Sequence, residues 1–269
     1  MKKLVLILVL AGYSPTLPQV KPVAPDIPYD TYADSLVRAY VIYEGSGTVV
    51  DDVSKWDGDG SRSGAAWDVD SEGNFLVFTP TDAPDYVIDN STNGLSTINE
   101  ELTVIVKFRY DGTLQGRSLL GRHVTTGTAL SYDYTVYLQG GVDRVDLCFD
   151  TNLITPTCFG NSTTLALTTT NWYVFAGTYS NSDDSVKLYL NGARAHSAKA
   201  ASNGGTIVDN TGRRFMIGRF GAAKSGLYAI HYVYVWSRRL SDSEISYMYS
   251  NPYAPFSEAR RKRKLISTR

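Results

Sequence analysis

The dipeptide Asn191-Gly192 constrains the fold of this chain more than any other feature of its sequence. Both central positions of a two-residue type I′ turn require a positive φ, and Asn-Gly adopts that conformation at the least cost. Residues 185–190, before the dipeptide, alternate between polar and apolar side chains, as a half-buried strand does. The pattern predicts a β-hairpin whose second strand covers residues 193–198.

Further strands are expected on both sides of this hairpin. Residues 171–179, 214–220 and 226–236 are rich in β-branched and aromatic side chains, which favours strands. Ser241-Asp-Ser-Glu244 then forms a capping box, which predicts a short helix that Pro252 ends. Because short strands recur at regular spacing and no ordinary helix precedes this one, the sequence favours a single all-β sandwich.

The order of these elements resembles the end of laminin-G-like domains in the concanavalin A-like lectin and glucanase superfamily. The resemblance rests on W-Y-V-F-A-G-T-Y, K-L-Y-L-N-G, F-M-I-G, a strand that ends in V-W-S-R-R-L-S-D-S-E-I, and Y-x-N-P-Y. It reaches the front of the chain through Leu36-Val-Arg-Ala-Tyr, Glu44-Gly-Ser-Gly, Phe75-Leu-Val-Phe and Asp85-Tyr-Val. It implies a two-sheet antiparallel jelly-roll β-sandwich over residues 33–256, with an extended N-terminal arm and one short C-terminal helix.

The first 13 residues have two interpretations. Met1-Lys-Lys and the apolar run 4–10 are typical of a secretory signal that is cleaved after Ala11. The alternative is an apolar peg that docks into a partner protein, and the run is too short to span a bilayer. The docking side chains of such a peg would be Leu4, Leu6, Leu8 and Leu10.

Residues 14–32 and 257–269 flank the predicted domain. The first segment contains five prolines three or four residues apart, which favours an extended polyproline II stalk over a ligand for a proline-binding domain. The second is a basic tail, interpreted either as solvated or as binding an acidic protein or nucleic acid. The whole chain has 26 basic and 27 acidic residues, a net charge of −1, so we expect no nucleic-acid partner.

The two cysteines, Cys148 and Cys158, flank a predicted turn near Leu153. If the flanking residues form antiparallel strands, the two side chains can face each other and a disulfide is geometrically possible. Two buried free thiols are the alternative. A zinc site needs about four ligands, and no spacing in the chain matches one.

The residues that hydrolases of this and other folds require are missing from the sequence. Sandwich glucan hydrolases place their carboxylates on one strand in a Glu-x-Asp-x-x-Glu pattern, which is absent. His123, His196 and His231 show no metal-binding spacing, and no Gly-x-Ser-x-Gly motif is present. We therefore expect a protein that is not an enzyme.

The resemblance instead implies binding at loops on one rim of the sandwich. Relatives often hold calcium there through aspartates and carbonyl oxygens, and a tryptophan can stack on a sugar. The candidates for sugar binding are Trp56, Asp57, Asp59 and Asp85. The candidates for calcium are Asp82 and Asp85. Because Asp and Gly also build ordinary turns, a purely structural role is the alternative. Trp172 and Trp236 are expected in the core.

The arrangement of peg, stalk and head, together with the ending Y-x-N-P-Y-x-x-F before the basic tail, resembles phage-encoded members of the superfamily. It implies a non-catalytic virion structural or decoration protein, present in many copies, that contacts other virion proteins through its N-terminal arm and host-surface glycans through its head. The alternatives are a secreted bacterial carbohydrate-binding protein and, with less support, a glycoside hydrolase.

Overall fold

The computed structural model of the protein describes the greater part of the predicted domain. The described residues are 29–79, 85–89, 91–111, 117–123, 132–139, 144–151, 157–160, 167–199, 205–210, 212–219 and 227–256. Several predicted features lie outside the described residues, namely the peg with Leu4, Leu6, Leu8 and Leu10, residues 14–28 of the stalk, Asp82 and the basic tail.

Strands dominate the described part of the chain. In chain order they are β1 (Leu36–Val41), β2 (Val49–Val50), β3 (Gly60–Ser63), β4 (Ala66–Asp70), β5 (Gly73–Phe78), β6 (Tyr86–Asp89), β7 (Glu101–Tyr110), β8 (Arg117–His123), β9 (Tyr132–Gln139), β10 (Arg144–Phe149), β11 (Thr157–Gly160), β12 (Trp172–Ser180), β13 (Ser185–Leu190), β14 (Ala193–Lys199), β15 (Arg214–Ile217) and β16 (Tyr228–Trp236). The helices are α1 (Tyr29–Asp34), a 3₁₀ turn (Leu95–Thr97) and α2 (Asp242–Ser250).

The strands form two antiparallel sheets, which confirms the predicted fold class. The first sheet has the order β14-β13-β12-β7-β16-β5-β4, with β1 also paired to β16. The second has the order β11-β10-β9-β8-β15-β6-β3-β2. A large cluster of buried side chains from both sheets, among them Leu76, Val106, Val136 and Leu147, forms the core between them. None of the described helices has the length and apolarity needed to cross a membrane.

The predicted hairpin and capped helix are both present. Asn191 and Gly192 have φ values of 50° and 78°, as a type I′ turn requires, and they join β13 to β14. Ser241 accepts a hydrogen bond from the Glu244 N–H, and the Glu244 side chain accepts one from the Ser241 N–H, so the capping box that starts α2 is complete.

Strand β16 is the most deeply buried strand, because both of its faces are covered. Ile230, Val233 and Val235 face the core between the sheets, whereas Tyr234 and Trp236 face the opposite side. A β-bulge between Ile230 and Tyr232 shifts the alternation of inward and outward side chains along β16. His231 is the extra residue of this bulge.

Short segments from the two ends of the domain cover part of the outer face of the first sheet. Tyr32 of α1 packs with Trp236, whose indole Nε1 donates a hydrogen bond to the Tyr32 carbonyl oxygen at 3.0 Å. Ile245 and Met248 of α2 complete this second apolar cluster. Residues 29–32, which the sequence assigns to the stalk, therefore belong to a helix that packs on the domain.

We expect α2 to contribute directly to the stability of the sheet beneath it. Ile245 is 2% exposed within the second cluster, so Ile245→Ala should lower the free energy of unfolding by about 2–5 kcal/mol, because the truncation leaves a cavity. Ser246 is the neighbouring exposed residue, and Ser246→Ala should change stability little. Urea unfolding of both variants tests this, and equal stabilities would show that α2 is only loosely attached.

Candidate functional site

The loop of residues 51–59, which contains the predicted binding residues Trp56, Asp57 and Asp59, is organised by the buried carboxylate of Asp52. This carboxylate accepts hydrogen bonds from the backbone N–H groups of Ala39, Ser54 and Gly58 at 2.9 Å each. Arg38, which is fully buried, lies beneath the loop, and its Nε is 3.8 Å from Asp52 Oδ2. The loop is therefore held in shape from the inside of the domain.

Three predicted binding residues lie in this loop. Asp57 is exposed and has a φ of 55°, and Asp59 Oδ1 accepts the Asp52 N–H at 2.8 Å. Trp56 is half-buried and packs so closely on Gly94 that a Cβ there would lie 2.6 Å from its ring. These contacts match the structural alternative for the three residues, and sugar binding by them stays a prediction.

Asp85, the fourth residue, bridges to the end of the preceding strand. Its Oδ2 accepts hydrogen bonds from the N–H and the hydroxyl of Thr79 at 2.7 Å each. Calcium prefers six to eight oxygen ligands. No three His, Cys, Asp or Glu side chains come together to hold a metal ion within the described ranges, which do not include Asp82. Calcium binding therefore stays a prediction.

The second sheet contains the two cysteines and an unexpected pair of polar side chains. Cys148 on β10 and Cys158 on β11 are paired in register, with Cα atoms 4.0 Å apart, and form a disulfide.

Ser118 Oγ lies 3.2 Å from His123 Nε2, and both residues are 1% exposed. Ser118 Oγ is also 2.8 Å from Thr135 Oγ1, so this cluster is a buried hydrogen-bond network.

The part of the first sheet's outer face that no helix of the described residues covers centres on Trp172, at the start of β12. The expectation that Trp172 belongs to the core is wrong: it pairs with Arg109, on the opposite face of β7 from Phe108, and it is half-buried. Trp236 is in the apolar interior as expected, with 0% exposure. The local sequence could not show which face of β12 Trp172 occupies, because aromatic residues are typical of both.

Several contacts fix the orientation of the Trp172 indole. Its Nε1 donates a hydrogen bond to Asp70 Oδ2 at 2.8 Å, although the two residues are 102 positions apart. Phe75 packs edge-on at 5.3 Å between ring centroids. Lys107 and Arg109, two residues apart on β7, lie 5.7 and 5.1 Å from the indole centroid. Cations at such distances attract an aromatic ring, so the indole is held in place.

The charges around Trp172 are paired with one another. Lys107 forms an ion pair with Glu72. Arg109 donates to both carboxylate oxygens of Asp111 at 2.8–3.1 Å, and these hydrogen bonds raise the pKa of Arg109. Burial works against ionisation of Asp70, but hydrogen bonds from the Glu72 N–H and the Trp172 indole lower the pKa of Asp70 on balance.

His231 lies beneath this cluster, with its ring centroid 5.6 Å from that of Trp172. It is 3% exposed, and neither of its ring nitrogens has a hydrogen-bond partner among the residues that the structure describes. Burial and the nearby Lys107 lower the pKa of His231, and Glu72 and Asp70 only partly oppose this. The imidazole is therefore neutral at neutral pH.

Two exposed tyrosines adjoin the same area. Tyr249 and Tyr253 are 43% and 44% exposed. Burial raises the pKa of Tyr232, and electrostatic interaction with Tyr253, Glu72 and Tyr249 adds to this rise. We call this surface the outer-face patch, defined by Trp172, Lys107, Arg109, Asp70, Glu72, Tyr249 and Tyr253. It offers exposed aromatic area beside charged hydrogen-bonding groups.

The sequence of residues 81–246, more than half of the chain, matches the profile of the concanavalin A-like lectin/glucanases superfamily (Laminin_G_3). The chain belongs to this superfamily. The resemblance noted from the sequence is thereby confirmed. No curated protein matches the chain significantly in sequence.

Solved structures share the fold at low sequence identity. The binding domain of Paraclostridial Mosquitocidal Protein 1 superimposes with a TM-score of 0.64 at 13% identity, over 82% of this chain and 53% of that one. The binding domain of botulinum neurotoxin DC in complex with SialylT gives 0.60 at 11%, over 82% and 52%. Trypanosoma rangeli sialidase in complex with sialic acid gives 0.57 at 18%, over 83% and 34%. This chain thus spans about half the length of the toxin domains.

Acidification should remove stability that the buried His123 provides. Burial, together with Arg213, lowers the pKa of His123 from its usual 6.5 to about 3. Between pH 6.5 and about 3, His123 is protonated in the unfolded chain but not in the folded one. The stability that neutral His123 contributes is therefore complete above pH 6.5 and is lost as the pH falls toward 3. The difference in unfolding free energy between the wild type and His123→Gln should shrink from about pH 7.5 to about pH 4.5 in urea titrations. A constant difference would contradict this.

Proposed function

We propose that this protein is a non-catalytic glycan-binding protein and that the outer-face patch is the surface that contacts the sugar. The observation that carries the proposal is the fixed, half-buried indole of Trp172 beside paired charges, on a face of the sheet that α1 and α2 leave uncovered. The fold supports glycan binding, since the chain belongs to a superfamily that is named for its lectins and glucanases.

The chemistry of the patch suits a sugar. The C–H faces of a pyranose ring are apolar and its hydroxyls are polar, and aromatic side chains with a polar tip suit such mixed surfaces. Trp172, Tyr249 and Tyr253 supply aromatic area, while the exposed carboxylate of Glu72 supplies an acceptor at its edge. Because the hydrogen bond to Asp70 already fixes the indole, little conformational entropy is lost on binding.

We further propose that the protein is a structural or decoration component of a bacteriophage virion, on the capsid or tail. The order of peg, stalk and head in the sequence and the resemblance of its C-terminal motif to phage-encoded relatives support this. The N-terminal arm would contact other virion proteins, and the head would face outward. Many copies on one particle would convert weak single-site binding of host glycans into strong attachment.

A second candidate is a secreted bacterial carbohydrate-binding protein. The disulfide between Cys148 and Cys158 favours it, because disulfides form and persist mainly in oxidising compartments outside the cytosol. The signal-like residues 1–11 would then be removed on export. The glycan-binding proposal is the same for both settings.

We expect Trp172→Ala to weaken glycan binding about tenfold, which corresponds to about 1.4 kcal/mol, because the main aromatic contact is lost. Trp67→Ala is the matched control. Trp67 is also half-buried, donates its indole N–H to the Gly47 carbonyl at 2.9 Å and has Arg62 5.8 Å away, but it packs toward the core between the sheets.

A glycan array followed by titration calorimetry of the bound sugars makes this measurement. Trp56→Ala belongs in the same series, since the sequence predicts sugar binding at the rim loop. If Trp56→Ala abolishes binding and Trp172→Ala does not, the site lies at the rim and the outer-face patch is structural.

The intact mass of the protein from its natural source separates the two settings. We expect protein from purified particles to retain residues 1–10, because a docking peg must stay attached. A mass that begins at Gly12, in protein recovered from culture fluid, would instead support the secreted carbohydrate-binding protein.

A further inference from the structure

We infer that the outer-face patch selects uncharged glycans and rejects sialylated and other anionic ones. This inference rests on the proposed function, since it specifies the ligand class of the same surface. It follows from three observations: the number of carboxylates around Trp172, the pairing of the nearby cations with those carboxylates, and the neutral state of His231.

Among the described residues in and around the outer-face patch, carboxylates outnumber cations, because Asp111 and Asp68 adjoin the patch. Asp111 pairs with Arg109, and Glu72 pairs with Lys107. Asp70 accepts the Trp172 indole N–H, and Asp68 is in register with Phe75, whose ring Arg109 overlies. Four carboxylates thus surround two cations. A carboxylate-bearing sugar that approaches Trp172 would meet a net negative charge, and like charges at close range oppose binding.

Neither cation is available to an anionic ligand without loss of an existing partner. Arg109 already makes the two-pronged contact with Asp111 that a ligand carboxylate would need, with Nε–Oδ1 and Nη2–Oδ2 distances of 2.8 and 2.9 Å. Lys107 has a side-chain exposure of only 13% and is paired with Glu72. An anionic sugar would have to displace a carboxylate that is tethered to the protein.

The buried groups below the surface do not change this balance. Asp70 stays ionised because the Trp172 indole and the Glu72 N–H both donate to it. His231 stays neutral because it is buried beside Lys107. Among the described residues that face Trp172, no buried positive charge therefore compensates the carboxylates.

An uncharged glycan can contact the aromatic rings and the carboxylate acceptors of the patch without breaking these ion pairs. Its ring can pack on the exposed area of Trp172, Tyr249 and Tyr253. Its hydroxyls can donate to Glu72, whose side chain is 48% exposed, and to the free lone pairs that a paired carboxylate retains. Neutral hydroxyls cause no repulsion.

The test is an array of matched glycan pairs that differ only in a terminal sialic acid, probed with the wild type, Trp172→Ala and Trp67→Ala. We expect the neutral members to bind, and this binding to depend on Trp172 and not on Trp67. Binding of the sialylated members should be weaker than that of their neutral partners by at least about fivefold, the effect of one exposed charge contact.

The outcomes separate the two levels of the proposal. Sialylated members that bind as well as or better than their neutral partners, in a manner that depends on Trp172, would overturn the inference and leave the glycan-binding function standing. Absence of binding by every pair, or binding that survives Trp172→Ala, would overturn the proposed function and the inference with it.

A charge variant tests the cause of the selectivity. Glu72→Gln removes one carboxylate and frees Lys107, so the ratio of sialylated to neutral binding should rise about fivefold. Glu100→Gln is the matched control: Glu100 is also exposed but binds Asn181 and Thr206 instead of any residue of the patch, and its loss should leave the ratio unchanged. An unchanged ratio in Glu72→Gln would show that charge does not set the selectivity.

Discussion

Strand β16 is buried on both faces, and much of the structure is arranged to satisfy that constraint. It pairs with β7 along one edge and with β5 and β1 along the other, so its backbone polar groups are bonded within the sheet. One face belongs to the core between the sheets, and α1 and α2 cover half of the other. A bulge at His231 marks the point where this cover stops and the polar half of the outer face begins.

The outer-face patch exists because α1 and α2 cover only part of the outer face of the first sheet. Beyond the bulge no helix covers the sheet among the described residues, and long side chains from β7 and β12 shield it instead. Arg109 lies 4.9 Å from the ring of Phe75, which is only 1% exposed, so charged side chains take the place of a helix. The same side chains that shield the sheet form the aromatic and charged surface to which we assign glycan binding.

Local sequence patterns predicted the strands, the hairpin and the capped helix well, because each depends on neighbours in the chain. Asn191-Gly192 and the pair Ser241 and Glu244 act within a few residues. The candidate site was predicted less well. The rim residues follow from the family resemblance, and in the structure Asp59 and Asp85 accept hydrogen bonds from backbone N–H groups of the protein. The strand pattern around Trp172 favours a core position, but such a pattern does not show which face of the strand is covered.

Local sequence patterns are enough to predict a two-sheet β-sandwich with a C-terminal helix, since alternation, turn residues and caps are local and their order is specific to the superfamily. The position of the proposed binding surface depends on contacts between distant parts of the chain. Trp172 meets Asp70 across 102 residues, and His231 is placed below them by a bulge that depends on the register of β16 with β7. Such contacts arise from sheet order and register, which no short stretch of sequence specifies.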